Sequence, residues 1–131
     1  MSEYFVYIIG HIERTGVVQG PVKVGITKSL GSRLATIQTG NWRRIQFCHV
    51  FNLEERHIAL EVERMFHSVN SDARLSGEWF AMEPIAALKS LSGIVYTIIE
   101  QMYPEDECQE HWVESGTIDA LKMIYDETEA P

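Results

Sequence analysis

The chain of 131 residues is 45% hydrophobic and 23% charged, values that predict one globular domain with a buried core and a modest extension. Its two cysteines lack metal-site spacing, its first apolar run follows no basic leader, and its longest apolar run is interrupted by polar residues. We therefore expect no disulfide scaffold, no signal peptide and no membrane span, and we place the protein in the cytoplasm.

The formal net charge of -8 belongs to residues 104–131. Residues 1–103 hold ten basic and ten acidic residues, whereas 104–131 hold nine acidic residues and one lysine. An acidic chain would argue against nucleic acid as a partner, but this asymmetry removes most of that objection. We therefore expect DNA to be a partner. The acidic tail 104–131 is expected to bind a basic protein partner, to cover the protein's own basic surface, or only to aid solubility.

Strand signals dominate the first part of the chain. Aromatic and β-branched residues predict a strand over 3–10, and a glycine-containing loop leads to a second strand over 22–27. We expect these two strands to pair in antiparallel fashion. Residues 29–39 have the apolar spacing of a helix with Ser29 as its cap, and a weak alternation over 43–51 predicts a third strand.

Helix signals dominate the second part. Asn52 and Glu55 have the spacing of a capping box, which predicts a long helix that begins at Asn52. The core face of this helix comprises Ile58, Val62, Met65, Phe66 and Val69. The segment 76–82 reads as a turn with an extended piece, and Pro84 begins a helix that runs to about residue 103. An acidic linker and a short amphipathic helix over 117–127 are expected to follow.

This order predicts an α+β fold in which a small three-stranded antiparallel sheet is flanked by helices, with a C-terminal helical extension. We divide the chain into a domain over residues 1–83 and a helical extension with an acidic tail over 84–131. The helix 84–103 is apolar on more than one side. This pattern is expected of a helix buried on both faces within the monomer, and also of a homodimer interface.

Several polar residues converge on one face of the first two strands in this arrangement. Side chains alternate along a strand, so Tyr7 and Lys23 share a face if the strands pair. Arg33 lies one turn into the first helix and can reach over that face. Glu63 lies beside the core row of the long helix, with His67 one turn later on the same side. A tyrosine, a lysine, an arginine and a glutamate brought together in this way favour phosphodiester hydrolysis.

Each of these side chains has a chemical role in such a site. Glu63 would hold Mg²⁺ or Mn²⁺, and the planar fork of Arg33 would bind phosphate oxygens. Tyr7 would accept a proton from the attacking water if Lys23 and the metal lower its pKa, with Lys23, His67 or a metal-bound water as the alternative base. The candidates for contact with nucleic acid are Gly25, Thr27, Lys28, Arg43 and Arg44.

Taken singly, these residues have commoner structural explanations. Tyr7 would be a strand tyrosine half in the core, and Lys23 a solvated edge charge. Glu63 and His67 would be an exposed pair one turn apart on a helix, and Gly25 would only relieve packing beneath the helix. The composition therefore gives a weak case, and the order of the motifs is what strengthens it.

Six short motifs follow one another over residues 3–83. They are Val6-Tyr7, Lys23-Val24-Gly25 followed by Thr27, Arg33, "LATIQTGN" (34–41), Glu63 in "ALEVERMFH", and "GEWF" (77–80). This series resembles the GIY-YIG nuclease superfamily and, within it, the T5orf172 or MUG113 branch.

The resemblance implies that the first two motifs are the superfamily's half-motifs, with Gly25 and Thr27 on the floor of the site. It further implies that Arg33 is the superfamily's arginine and Glu63 its metal-binding glutamate. Lys23 stands at the position of a tyrosine in the second half-motif, and Trp42 stands where the branch commonly has proline.

Two functions follow as alternatives. The first is a Mg²⁺-dependent endonuclease that hydrolyses DNA phosphodiester bonds, of a type frequent in phages and bacteria, with defence, counter-defence and repair all open. The second is a catalytically inactive GIY-YIG-like module for protein interaction or inhibition, whose acidic tail imitates nucleic acid or binds a basic partner. The neutral charge of residues 1–103 favours the second, and the retained Tyr7, Arg33 and Glu63 favour the first.

Overall fold

Two long strands, β1 (Phe5–Ile12) and β2 (Val18–Thr27), organise an antiparallel sheet in the computed structural model, which describes residues 3–102. β3 (Ile45–Asn52) pairs with β1 and forms one edge. On the other side of β2, β5 (Trp79–Phe80) pairs with it, and β4 (Arg74–Ser76) pairs with β5. The spatial order is β3-β1-β2-β5-β4.

The sheet therefore has five strands, and the prediction of a three-stranded sheet is wrong. The two additional strands are only three and two residues long, too short to give the alternation that marks a strand in a sequence. They form a hairpin around Gly77, whose φ of 57° lies in the left-handed region that glycine adopts without strain. The α+β class and the flanking helices are confirmed.

Helices cover both faces of the sheet. One face packs against α1 (Leu30–Thr39), and the other packs against α2 (Arg56–Val69) and α3 (Pro84–Met102). Alternation along β1 divides its side chains between the two resulting cores. The α1 core contains Phe5, Tyr7, Ile9, Leu30, Ile45, Phe47 and Val50. The other core contains Val6, Ile8, Val22 and Val24 together with the apolar faces of α2 and α3.

Ser29 is the N-cap residue of α1, as predicted, but its side chain makes no capping hydrogen bond. The Thr27 hydroxyl holds this turn instead. It accepts a hydrogen bond from the Ser29 N–H at 3.1 Å and donates one to the Ser29 carbonyl at 3.1 Å. The last residue of β2 thus fixes where α1 begins.

The predicted capping box at Asn52 is wrong, because α2 begins at Arg56. The chain continues extended after β3, where the N–H of buried Leu53 donates to the Tyr4 carbonyl at 2.8 Å. The Asn52 side chain accepts from the Glu54 N–H at 3.1 Å and holds a turn before the helix. Burial of Leu53 against the core thus delays the start of the helix.

α3 packs against α2 and the sheet through six buried residues: Ala87, Leu91, Ile94, Val95, Ile98 and Ile99. Ile85 and Met102, at the ends of the helix, are exposed. Part of the apolar stripe proposed for a homodimer is therefore core of the monomer, and self-association through residues 84–103 stays a prediction. The division at residue 83 also stays a prediction.

Among residues 3–102, no helix is both long and apolar enough to cross a bilayer. The predicted acidic linker, the helix over 117–127 and the tail 104–131 lie outside the described residues.

Candidate active site

The floor of the candidate site is formed by paired residues of β1 and β2. Tyr7 lies opposite Gly25, Ile9 opposite Lys23 and Phe5 opposite Thr27. Partners across an antiparallel pair point to the same side of the sheet, so Tyr7 and Lys23 share a face, as the alternation predicts. Thr27 lies on this face too, but its hydroxyl is engaged in the turn to α1.

Gly25 leaves the space that the Tyr7 hydroxyl occupies. A Cβ at position 25 would lie 2.5 Å from Tyr7 Oη and 2.7 Å from Glu78 Oε1, much closer than carbon approaches oxygen in proteins. The phenol and the carboxylate therefore face one another across the glycine. This close approach, rather than a backbone angle, is what requires glycine here.

The edge of β2 brings α2 into the site. β5 begins at Trp79, opposite Lys23, and just before it the Glu78 carbonyl accepts a hydrogen bond from the Val24 N–H at 3.1 Å. The Val24 carbonyl is hydrogen-bonded to His67 Nε2 at 3.1 Å. Since a carbonyl oxygen only accepts, His67 Nε2 is the donor, which leaves Nδ1 as the ring nitrogen that can offer a lone pair to a metal.

Three potential metal ligands lie together at this edge. One ligand atom from each of Glu63, His67 and Glu78 lies within 4.8 Å of the other two, and all three residues are half-buried. Lys23 Nζ lies 3.3 Å from Glu78 Oε1 and pairs with that carboxylate. Glu78 was missed by the sequence interpretation, although it lies in the "GEWF" segment that contributed to the resemblance.

Two polar atoms of the site are buried with no hydrogen-bond partner among the described residues. They are the hydroxyl oxygen of Tyr7 and Oε2 of Glu63. Buried polar groups without partners are rare in folded proteins, because no hydrogen bond then offsets the free-energy cost of removing the group from water. Both residues lie at the same edge as the three potential ligands.

Burial and like charge shift the ionisation of both residues. Burial and, after it, the neighbouring Glu78 carboxylate raise the pKa of Glu63 to about 7, although Lys23 and Arg33 act to lower it. Burial also raises the pKa of Tyr7 well above its usual value of about 10. Glu78 and Glu63 act in the same direction on Tyr7, and Arg33 opposes them. Tyr7 is therefore a phenol at neutral pH.

Arg33 is exposed on the first turn of α1, and its charge reaches the buried Tyr7 and the half-buried Glu63. Lys28 is also exposed, with its Nζ 5.4 Å from the centre of the Tyr4 ring. Arg43 and Arg44 follow the far end of α1. The sequence candidates thus form two groups, one around Tyr7 and Glu63 and one beyond the C-terminal end of α1.

Comparison with known proteins gives a family but no named relative. No curated protein and no solved structure matches the chain. The sequence pattern of the T5orf172 domain matches residues 4–102, which include β1 through α3 and all of the site residues above. The chain therefore belongs to the T5orf172 domain family, which is GIY-YIG-like and associated with nucleases.

Proposed function

We propose that the protein is an endonuclease that hydrolyses DNA phosphodiester bonds with the help of a divalent metal ion. One observation carries this proposal: the ligand set of Glu63, His67 and Glu78 faces the buried hydroxyl of Tyr7, and two oxygens of this group lack partners. Buried polar oxygens without partners are rare in purely structural positions. Family membership supports the same reaction class at a coarser level.

The residues fit a hard divalent cation. Mg²⁺ takes one or two protein carboxylates and keeps several waters, and Mn²⁺ also accepts imidazole. Glu63 and Glu78 supply the carboxylates, and a cation would satisfy Glu63 Oε2. The hydrogen bond from His67 Nε2 to the Val24 carbonyl orients the ring in the way that ligand imidazoles are usually oriented. When bound, the metal would stabilise negative charge on the phosphate and the leaving oxygen.

Arg33 binds the phosphate in this proposal. It is exposed, it carries a permanent charge, and it lies at the N-terminal end of a ten-residue helix whose dipole favours an anion. Lys23 lies half-buried between Glu78 and the Trp79 ring and adds a second positive charge beside the same face. Together the two side chains orient the diester and offset the charge that develops on its oxygens.

Tyr7 handles the proton of the attacking water. As the water oxygen forms its bond to phosphorus, the water gives a proton to the Tyr7 oxygen. The phenol proton passes to the Glu78 carboxylate across Gly25, which requires the Tyr7 hydroxyl, without a partner among the described residues, to turn toward that carboxylate. The bond from phosphorus to the leaving oxygen breaks, and solvent protonates that oxygen. This relay suits a phenol whose pKa is raised, since Tyr7 begins the step protonated.

Cleavage of supercoiled plasmid tests this function. We expect nicking with Mg²⁺ or Mn²⁺ and none with EDTA, and we expect Glu63→Gln to lower the rate by at least about a hundredfold with an unchanged melting temperature. Glu61→Gln is the matched control. It lies two residues away on the same helix, where Glu61 pairs with Arg64, and it should cleave at the wild-type rate. Equal cleavage by wild type and Glu63→Gln would overturn the assignment.

The second candidate function is the inactive interaction or inhibitory module. The charge of residues 104–131 favours it, because nine acidic residues in a short segment suit a basic partner. If freshly purified wild-type protein does not nick the plasmid with Mg²⁺, with Mn²⁺ or without metal, that result would favour this module over the endonuclease. In either case a role in defence, counter-defence or repair stays a proposal.

A further inference from the structure

The loop between α1 and β3 presents an exposed tryptophan. The side chain of Trp42 is 93% exposed, the highest value among the large hydrophobic residues that the structure describes. We call residues 40–44 the Trp42 loop. A single exposed apolar side chain is common on protein surfaces, so the surroundings of Trp42 decide its meaning.

Hydrogen bonds hold the Trp42 loop in one shape. Gln38 Nε2 donates to the carbonyls of Asn41 at 3.1 Å and Arg43 at 2.9 Å, and Gln38 Oε1 accepts from the Ile45 N–H at 3.0 Å. Asn41 Oδ1 accepts from the Arg43 N–H at 3.1 Å. The loop is therefore preorganised with its indole directed away from the core, and a ligand that used the indole would not have to order the loop first.

Positive charge flanks the indole. Arg43 is half-buried and Arg44 is exposed, and the ion pairs among residues 3–102 involve neither of them. The Arg43 charge reaches inward to His11, whose pKa is lowered by burial first and by Arg43 second. Two arginines without an ion-pair partner among residues 3–102, beside an exposed aromatic ring, match the chemistry of a nucleic-acid strand, which offers phosphates and flat bases.

A continuous row of residues joins the Trp42 loop to the candidate active site. The ring of His11 stacks on that of Trp79, with centroids 5.2 Å apart and planes 22° apart. Lys23 Nζ lies 5.6 Å from the centre of the Trp79 ring and 3.3 Å from Glu78. Arg43, His11, Trp79 and Lys23 thus lead from the loop to the ligand set. His11 is buried, so this row links the loop and the site through side-chain contacts within the fold.

We propose that Trp42 is a stacking platform for an unpaired base, so that the substrate carries a single-stranded segment next to the scissile phosphate. Inside a duplex both faces of each base are covered by its neighbours, and only an unpaired or terminal base can offer a face to an indole. Arg43 and Arg44 contact the phosphates of that segment without reading its sequence. This inference deepens the proposed nuclease function and names its substrate class.

A binding measurement in EDTA tests this inference separately from the proposed cleavage, because EDTA removes the divalent metal ions that cleavage would need. The probes are a fluorescein-labelled single strand of about 15 nucleotides and the blunt duplex of the same sequence, each titrated with the full chain and followed by anisotropy. Trp42→Ala should weaken single-strand binding by about 5- to 100-fold and change duplex binding by less than about twofold. Trp42→Phe keeps a ring and should restore most of the single-strand affinity.

Two further variants serve as controls. Leu75→Ala truncates an exposed apolar side chain on β4, at the opposite edge of the sheet, and should bind both probes like wild type. Arg44→Ala should weaken both probes alike and lower the slope of log affinity against log salt by about one. The melting temperature of Trp42→Ala should equal that of wild type, because the side chain contacts little.

The outcomes distinguish the inference from the function on which it rests. Equal loss of single-strand and duplex binding in Trp42→Ala, no loss of either, or no binding of either probe by wild type at low salt would overturn the inference. In the last two cases Trp42 would be free for a protein partner. A selective loss supports it even if the plasmid assay finds no cleavage, and plasmid cleavage that depends on Glu63 stands even if Trp42→Ala binds normally.

Discussion

At the scale of single residues, the site depends on a glycine that contributes no atom to chemistry. Gly25 lets the phenol of Tyr7 and the carboxylate of Glu78 approach each other above the backbone of β2. Alternation in the sequence correctly predicts that Tyr7, Lys23 and Gly25 share a face. It does not distinguish a glycine that relieves packing beneath a helix from one that makes room for the site.

Gly25→Ala should therefore damage the site more than the fold. The added Cβ would displace Tyr7 Oη or Glu78, so we expect nicking to fall at least about tenfold and stability to fall by about 1–3 kcal/mol. Gly93→Ala is the matched control, because nothing lies within 4 Å of a Cβ there and the residue is within α3. That variant should gain about 0.5–1 kcal/mol in thermal or urea unfolding and keep full activity. Full activity of Gly25→Ala would contradict the tight approach.

At the scale of secondary structure, the elements with strong periodicity are the ones that the sequence predicts. α1 begins and ends within one residue of expectation, α3 begins at Pro84 as predicted, and β1 and β3 are displaced by only about two residues. β2 begins earlier than predicted, at Val18, because Gly20 and Pro21 read as a loop although they lie within the strand. β4 and β5 escape prediction because their pairing depends on the edge of β2, which is distant in the chain.

The same limit explains why Glu78 was missed. Glu63 and His67 lie on a helix whose spacing defines a face, so their position can be deduced locally. Glu78 lies in a turn, and only the pairing of Trp79 with Lys23 brings it to the site. A residue placed by long-range pairing carries no local signal of its position, apart from a motif such as "GEWF".

The junction of β2 with α1 allows a test at this scale. Thr27→Val keeps the shape of the side chain but removes both hydrogen bonds to Ser29, so the start of α1 loosens and Arg33 loses its fixed position. We expect a loss of about 1 kcal/mol in unfolding free energy and a fall in the nicking rate of at least about fivefold. Thr36→Val removes only an exposed hydrogen bond to the Ser32 carbonyl in the same helix and should leave the rate unchanged. Equal rates for the two variants would mean that the junction does not position Arg33.

At the scale of the whole molecule, charge is divided between two regions of the chain. Residues 1–103 are neutral in sum, and 104–131 carry the net charge of -8. Phosphate contact dominates the affinity of most proteins for nucleic acid, and an acidic segment tethered to a basic surface competes with phosphate at high effective concentration. The arginines exposed to such competition include Arg33 and Arg44.

Removal of residues 104–131 should therefore tighten DNA binding if the tail acts on the chain's own surface. The gain should be largest at low salt and should shrink as salt rises, because exposed charges are screened over about 10 Å at 0.1 M ionic strength. A full-length variant with its tail acids changed to the corresponding amides is the matched control and should reproduce the gain. Affinity unchanged by truncation at low salt would leave only a basic protein partner or solubility as roles for the tail.

The dispersal of the site along the chain has a consequence for when the protein becomes active. Tyr7, Gly25, Arg33, Glu63 and Glu78 come from β1, β2, α1, α2 and the turn before β5, so contacts between distant parts of the chain must all close before the ligand set exists. A nascent chain that has not yet emerged past β5 lacks Glu78, and a proteolytic fragment that ends earlier lacks it as well. The ligand set is thus complete only when folding is complete, so a nuclease of the proposed kind would hold no assembled site during its synthesis.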